Sequence, residues 1–343
     1  MTLSARIALL LTGLAFGAPA SAATIALNKS ASLLASAQAS AAFDYAAAYY
    51  AARLTDPVSV LINADFAPMS PGTLGSTQAT WLSAGYSTIR NAMVSDQSLS
   101  GQAGDITEQL PTYAQYSAYV PDGGSLSSSL LITSANAKAL GFDVSGIVTS
   151  DADISFNSNF AFDFDPSDGI TAGLFDFVGV ALHEIGHVLG FVSTVDYVDC
   201  VFAGDCSGLS GLSATPLDLF RLEPGAGVTD FTSAPRVLTT GADIADQVLY
   251  LGGGVEYAVS TGVFSGDGRQ ASHWKDNLSI GLLDPTLAPG EYGYLTGADW
   301  RAFDLIGWDV ALETQPVPLP GAAWLLGSGL LGLAGYRRRT LRP

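Results

Sequence analysis

Histidine, cysteine and methionine are all scarce in this 343-residue chain, with three, two and three copies respectively. Two cysteines cannot build a four-cysteine zinc site or a disulfide framework, so neither a zinc ribbon nor a disulfide-dense scaffold is available. Basic residues are few as well: 14 Lys and Arg face 32 Asp and Glu, a formal net charge of −18. Arg6, Arg337, Arg338, Arg339 and Arg342 lie in the terminal segments, so residues 23–316 carry 9 basic against 32 acidic side chains, a balance of −23. Such a surface repels phosphate backbones and anionic lipid, which argues against a nucleic-acid partner and favours divalent cations. The sequence shows no convincing internal repeat, and its length suits one large domain or two closely packed lobes around a substantial core.

The two ends differ from the body. Residues 1–22 read as a signal peptide: Arg6, an apolar run at 7–16, then Ala20-Ser21-Ala22, a small-x-small cleavage pattern. The mature chain then begins near Ala23, and export permits disulfides. Cys200 and Cys206 stand close enough to clip a small loop, with two unlinked buried thiols as the alternative. Residues 316–343 form a C-terminal sorting or anchor segment: Pro316-Val317-Pro318-Leu319-Pro320, an apolar stretch at 321–336 without a polar face, and Arg337-Arg338-Arg339. A helix over that stretch spans roughly 24 Å, short of a hydrocarbon core of about 30 Å, which suits membrane contact before processing rather than a permanent span. This tripartite pattern resembles the PEP-CTERM sorting signals of Gram-negative bacteria, with Val-Pro-Leu-Pro in place of the usual Val-Pro-Glu-Pro. The resemblance implies an exosortase-like processing enzyme as a partner and a destination in the cell envelope or outside the cell.

Between the ends, the pattern is that of an α+β protein. Ala-rich residues 31–53 read as a helix stopped by Thr55-Asp56-Pro57, 58–66 as a strand, 80–94 as a helix, and 129–133 and 154–164 as short strands. Helical periodicity returns at 176–189, where Phe177, Val178, Ala181, Leu182, Ile185, Val188 and Leu189 cover a broad apolar arc. Asp176 can cap its start and Gly190 its end. Residues 195–268, rich in Gly, Ser, Thr and Val, read as a β-rich or irregular insertion. Trp300, Phe303, Leu305 and Ile306 place a late helix at 296–306. The mature chain thus divides into an N-terminal lobe (23–194) that carries the 176–189 helix, the insertion (195–268) and a C-terminal lobe (269–315).

The helix at 176–189 carries the chemistry. His183-Glu184-Ile185-Gly186-His187 reads H-E-x-x-H, and this composition yields only about 0.0005 chance matches. Residues four apart share a helical face, so both imidazoles can reach one ion at about 2.0–2.1 Å. Glu184, one step round the helix, can reach a water on that ion without being a ligand, the place of a general base in metal-assisted hydrolysis. Burying a carboxylate beside two imidazoles is costly unless a cation compensates, which weighs against a merely structural pair. A catalytic zinc takes three protein ligands and leaves the fourth position to water. His273, in Gln270-Ala271-Ser272-His273-Trp274, is the remaining histidine and the leading candidate for the third. Glu223 or an Asp of the insertion is the carboxylate alternative. Asp163, Asp165 and Asp168 offer oxygen donors and a nearby turn glycine for a Ca2+ ion; the spacing is not that of an EF-hand, and a solvated acidic turn is the competing reading.

These motifs resemble the metzincin peptidases, and among them the leishmanolysin-like branch. HEIGHVLGF at 183–191 is similar to that branch's H-E-x-x-H-x-x-G-F, with Gly190 where the family's helix ends. Most metzincins place the third ligand three residues later, here Ser193. In the leishmanolysin-like branch an insertion intervenes and the third histidine precedes a tryptophan, as His273 precedes Trp274. Gly281-Leu282-Leu283-Asp284-Pro285 resembles the methionine-containing turn beneath the metal, with Leu283 replacing methionine at similar volume. The resemblance covers 175–191 and 266–308. It implies a twisted mixed sheet, an active-site helix, a β-rich insertion and a C-terminal helix. It further implies a Zn2+ ion on His183, His187 and His273, Glu184 as general base, and a secreted endopeptidase acting on polypeptide. Tyr292 and Tyr294 are candidates for stabilising the oxyanion. The alternatives are a zinc hydrolase with a carboxylate third ligand and a non-catalytic envelope or biofilm-matrix protein on a peptidase scaffold.

Overall fold

A computed structural model describes residues 22–99 and 106–311; the expected signal peptide, apart from Ala22, and the sorting segment from 316 onward lie outside them. The chain opens with β1 (Thr24–Lys29), α1 (Ala31–Ala35), α2 (Ala37–Ala51), β2 (Ser59–Ala67), β3 (Gly75–Ala79), β4 (Trp81–Gly85) and α3 (Tyr86–Leu99). Next come β5 (Ala118–Tyr119), β6 (Ser129–Thr133), α4 (Ser134–Ala139) and β7 (Ala152–Asn157), then β8 (Phe162–Asp163) and β9 (Phe175–Asp176), which leads into α5 (Phe177–Val188). Beyond it lie α6 (Val195–Ala203), β10 (Arg221–Leu222), α7 (Ala226–Asp230), β11 (Arg236–Val237), β12 (Val248–Gly252), β13 (Val255–Ala258) and α8 (Gly297–Leu305).

The architecture is α+β around a mixed sheet in the order β1-β2-β7-β3. The first three strands run parallel and β3 runs antiparallel to β7 at the edge. Alternation explains its two faces. Ile25, Val60, Ile62, Ala64, Ala152, Ile154 and Phe156 are buried on one side, where α2 and α5 pack. On the other, Asn28 Nδ2 donates to Asn63 Oδ1 (2.8 Å) and Asn63 Nδ2 to Asp153 Oδ1 (2.7 Å), a polar ladder facing solvent. The edge position of β3 matters for function, because its residues lie directly against α5.

Several expectations shift. The helix expected at 31–53 is two helices. Ser36 adopts an extended conformation between them, and its hydroxyl accepts from Ala39 N to cap α2, the usual competition of a serine with the helical backbone. The helix expected at 80–94 begins only at Tyr86; residues 81–85 form β4, paired antiparallel with β6. β1, which the periodicity did not reveal, pairs in parallel with β2. The strand expected at 154–164 spans two, β7 and β8, separated by a turn; Asn157, the last residue of β7, donates from Nδ2 to Ser70 O (3.0 Å) and Thr73 O (2.8 Å). The insertion holds the three-stranded sheet β10-β12-β13 and also α6 and α7. No helix among the described residues is long and apolar enough to cross a membrane.

Candidate active site

α5 is fixed at both ends. Asp176 Oδ1 accepts from Gly179 N (2.9 Å) and Oδ2 from Gly293 N (3.0 Å), tying the N-terminus to the segment before α8. At the other end Gly190 turns with φ +115°, and a Cβ there would lie 3.0 Å from Ile306 Cδ1 and 3.1 Å from Asn136 Cβ. Both the conformation and the space demand glycine. Trp308 Nε1 donates to Leu189 O (2.7 Å) and Tyr50 Oη to Leu182 O (3.1 Å), so tertiary partners take up carbonyls along the helix.

His183, His187 and His273 meet above this helix. Their Nε2 atoms are 3.1 Å apart for His183–His273 and for His183–His187, and 3.2 Å apart for His187–His273. Each Nδ1 faces a backbone carbonyl: Leu282 O at 2.9 Å, Phe191 O at 2.7 Å and Gln270 O at 3.1 Å, respectively. A carbonyl only accepts, so each Nδ1 carries the hydrogen and each Nε2 keeps its lone pair. Burial lowers the proton affinity of all three; for His187, burial and then the neighbouring His183 bring the pKa down to about 3. Three neutral rings thus point lone pairs at one another with no hydrogen between them, a repulsive set unless a cation lies at its centre. Tetrahedral ligands at about 2.05 Å from a metal stand roughly 3.3 Å apart, close to what is found. Among the described residues, this is the one group of three or more His, Cys, Asp or Glu side chains that could hold a metal ion.

Glu184 is buried beside the trio. Its Oε2 accepts from Thr77 Oγ1 on β3 (2.7 Å), and that hydroxyl is also 2.9 Å from the Glu184 carbonyl oxygen. Its Oε1 lies against Gly75, where an added Cβ would be only 2.7 Å away. Burial raises the Glu184 pKa to about 7, against the opposing pull of the Thr77 hydrogen bond.

Leu283, next to the Leu282 carbonyl that meets His183, is fully buried, and its Cδ1 would be 3.0 Å from a Cβ on Gly186. The turn that carries Leu283 is held by Asp299, which accepts from Leu282 N (2.9 Å), Leu283 N (3.3 Å) and Trp274 Nε1 (2.8 Å). Trp274 N in turn donates to Leu283 O (2.8 Å), and the Trp274 ring packs edge-on against Phe191 at 4.9 Å. Asp299 thus joins the His273 loop, the turn and α8. Its sequence signal is the capping box it forms with Thr296, which marks a helix start but says nothing of the metal site. Thr77 and Gly75 carry no sequence signal at all.

The remaining candidates fall elsewhere. Cys200 and Cys206 form a disulfide at the end of α6. Asp163, Asp165 and Asp168 do not form a cluster of three carboxylates close enough to share one ion. Asp163 accepts from Asp165 N (3.0 Å) and Thr171 N (2.9 Å), and Asp165 from Ser167 N (3.1 Å), so these carboxylates serve as turn caps. Glu223 is not among the clustered ligands. Tyr292 and Tyr294 are exposed, with rings 5.9 Å apart, on either side of Gly293 at the start of α5. No family model, curated protein or solved structure matches the chain.

Proposed function

We propose that this chain is an exported zinc endopeptidase of the metzincin kind, akin to the leishmanolysin-like branch. The observation that carries the reading is the trio of Nε2 lone pairs within 3.2 Å of one another, next to a buried carboxylate that is not part of the trio. The donor set suits zinc, which favours imidazole nitrogens in a tetrahedral site with one position left open. When bound, zinc supplies the Lewis acidity that makes water nucleophilic near neutral pH and polarises a carbonyl.

The protein's own groups do the rest. Glu184, one step round the helix from His183, accepts the proton of the attacking water and returns it to the departing amine. Thr77 holds one carboxylate oxygen and Gly75 makes room for the other. The Nδ1–H bonds to Leu282, Phe191 and Gln270 fix the ring tautomers. The outer edge of β3, last in its sheet, suits an extended polypeptide added as a further strand beside Glu184. The signal peptide and sorting segment expected from the sequence direct the enzyme to the envelope or exterior of a Gram-negative cell, with processing by an exosortase-like partner.

Elemental analysis of the purified chain, paired with a chelator-reversible assay on a mixed peptide library, tests this. One zinc per chain is expected, and Glu184→Ala is expected to lose hydrolysis by about 100-fold or more while keeping the metal. Equal turnover by the two proteins would remove the mechanism. Hydrolysis that is absent in both, with zinc bound, would favour the non-catalytic envelope reading.

A further inference from the structure

His273 arrives on a loop 86 residues beyond His187, and nothing in H-E-x-x-H determines where that loop comes to rest. The segment just before it is gripped from two directions. Asp196, in the first turn of α6, accepts from Ala271 N at Oδ1 (2.6 Å), and at Oδ2 from Ser272 N (3.1 Å) and from the Ser272 hydroxyl. The Ser272 oxygen in turn accepts from Ser193 N (2.8 Å), at the position where most of the resembling family would place its third ligand. Fully buried Arg221 reaches the same loop: Nη2 donates to Ala271 O and Nη1 to Ser260 O (3.2 Å), while Ser260 N donates to His273 O (3.0 Å). The peptide groups on the N-terminal side of His273 are thus bonded to side chains that follow the active-site helix.

We propose that Asp196 is a positioning residue for the metal centre: its carboxylate, backed by Arg221, holds the His273 loop so that the third Nε2 stays within coordinating reach of the helical pair. The inference rests on the metal reading above and adds that the affinity of the site is set partly from α6. Asp199 supplies the internal control. It lies on the same helix and also spends its carboxylate on backbone, accepting from Val263 N (2.8 Å), Phe264 N (2.9 Å) and Ser265 N (2.7 Å), but it touches no residue adjacent to His273.

The test is equilibrium competition for Zn2+ between a chromophoric chelator and the full chain, as wild type, Asp196→Asn and Asp199→Asn. Asp196→Asn is expected to saturate at one Zn2+ per chain with an affinity about 10–100-fold weaker, the usual cost of losing a partner that orients a ligand. Asp199→Asn is expected to stay within about twofold of wild type, because the His273 loop keeps its bonds. Should Asp196→Asn fail to fold, Ser272→Ala removes one hydroxyl from the same grip and is expected to weaken binding about fivefold. Wild-type affinity in Asp196→Asn or Ser272→Ala would overturn the inference, as would equal weakening in Asp199→Asn. A wild-type chain that takes up no Zn2+ would instead sink the metal reading itself, so the two failures are distinguishable.

Discussion

Replacing Gly75 by alanine measures how closely β3 confines the carboxylate at Glu184. The backbone at Gly75 lies outside the left-handed region, so alanine fits its conformation and the added methyl is the whole perturbation. That carbon would stand 2.7 Å from Glu184 Oε1, 2.9 Å from its Cγ and 3.0 Å from Val180 Cγ1, where ordinary contact begins near 3.4 Å. The carboxylate must therefore retreat by about 0.7 Å, or the strand must lift by as much, in an interior packed too densely to absorb the shift elsewhere. Retreat is constrained, because the other oxygen is bonded to Thr77 at 2.7 Å. A misplacement approaching 1 Å at a reacting group costs about 100-fold in rate. On the proposed role of Glu184 as general base, Gly75→Ala is accordingly expected to lower kcat by about that factor. Bound zinc should remain at one per chain, since no ligand moves, and the relief of glycine's backbone entropy offsets much of the packing cost to stability. Steady-state peptide hydrolysis with parallel metal analysis and urea unfolding reads all three quantities. Wild-type kcat in a zinc-loaded, folded Gly75→Ala chain would show that β3 does not hold the base.

Two further outcomes concern the scaffold. Asp56 is 2% exposed, and burial together with the nearby Asp309 carboxylate raises its pKa to about 7. The folded chain therefore keeps a proton that the unfolded chain gives up near pH 4, so this contribution to stability is full below pH 4 and is lost as the pH rises through about 7. Asp56→Asn keeps an acceptor for Asp309 N and removes the charge; it should match wild type near pH 4 and exceed it at pH 8 by on the order of 2 kcal/mol, the full shift being partly screened. Urea midpoints at the two pH values check this, and a difference independent of pH would refute it. Replacing Cys200 and Cys206 together by serine opens a short loop and should cost about 2 kcal/mol by calorimetry. No loss would mean that the loop is equally restrained without the bond.

The parts legible in the sequence are those set by short-range geometry. A residue four places along a helix returns to the same face whatever surrounds it, so His183 and His187 could be paired, and Glu184 set beside them, before any fold was known. The caps at Asp176 and Gly190 and the alternation in β2 are equally local. Where two local preferences compete, the distant partner decides. Trp81–Gly85 reads as the opening of a helix, but pairing with Ser129–Thr133 makes it a strand.

The amino-acid sequence by itself determined which residues could ligate a metal, because three histidines leave little choice and helix periodicity aligns two of them. The tertiary structure alone decided that the third ring joins them, and which groups hold it there. Asp196, Arg221 and Asp299 bond the His273 loop and the turn at Leu282 and Leu283. Thr77 and Gly75 likewise meet Glu184 only because β3 is laid along α5. The physical reason is the range of the forces. Backbone geometry propagates over a few residues, whereas a carboxylate takes as partners whatever donors the folded chain brings within about 3 Å, however far apart they lie in sequence.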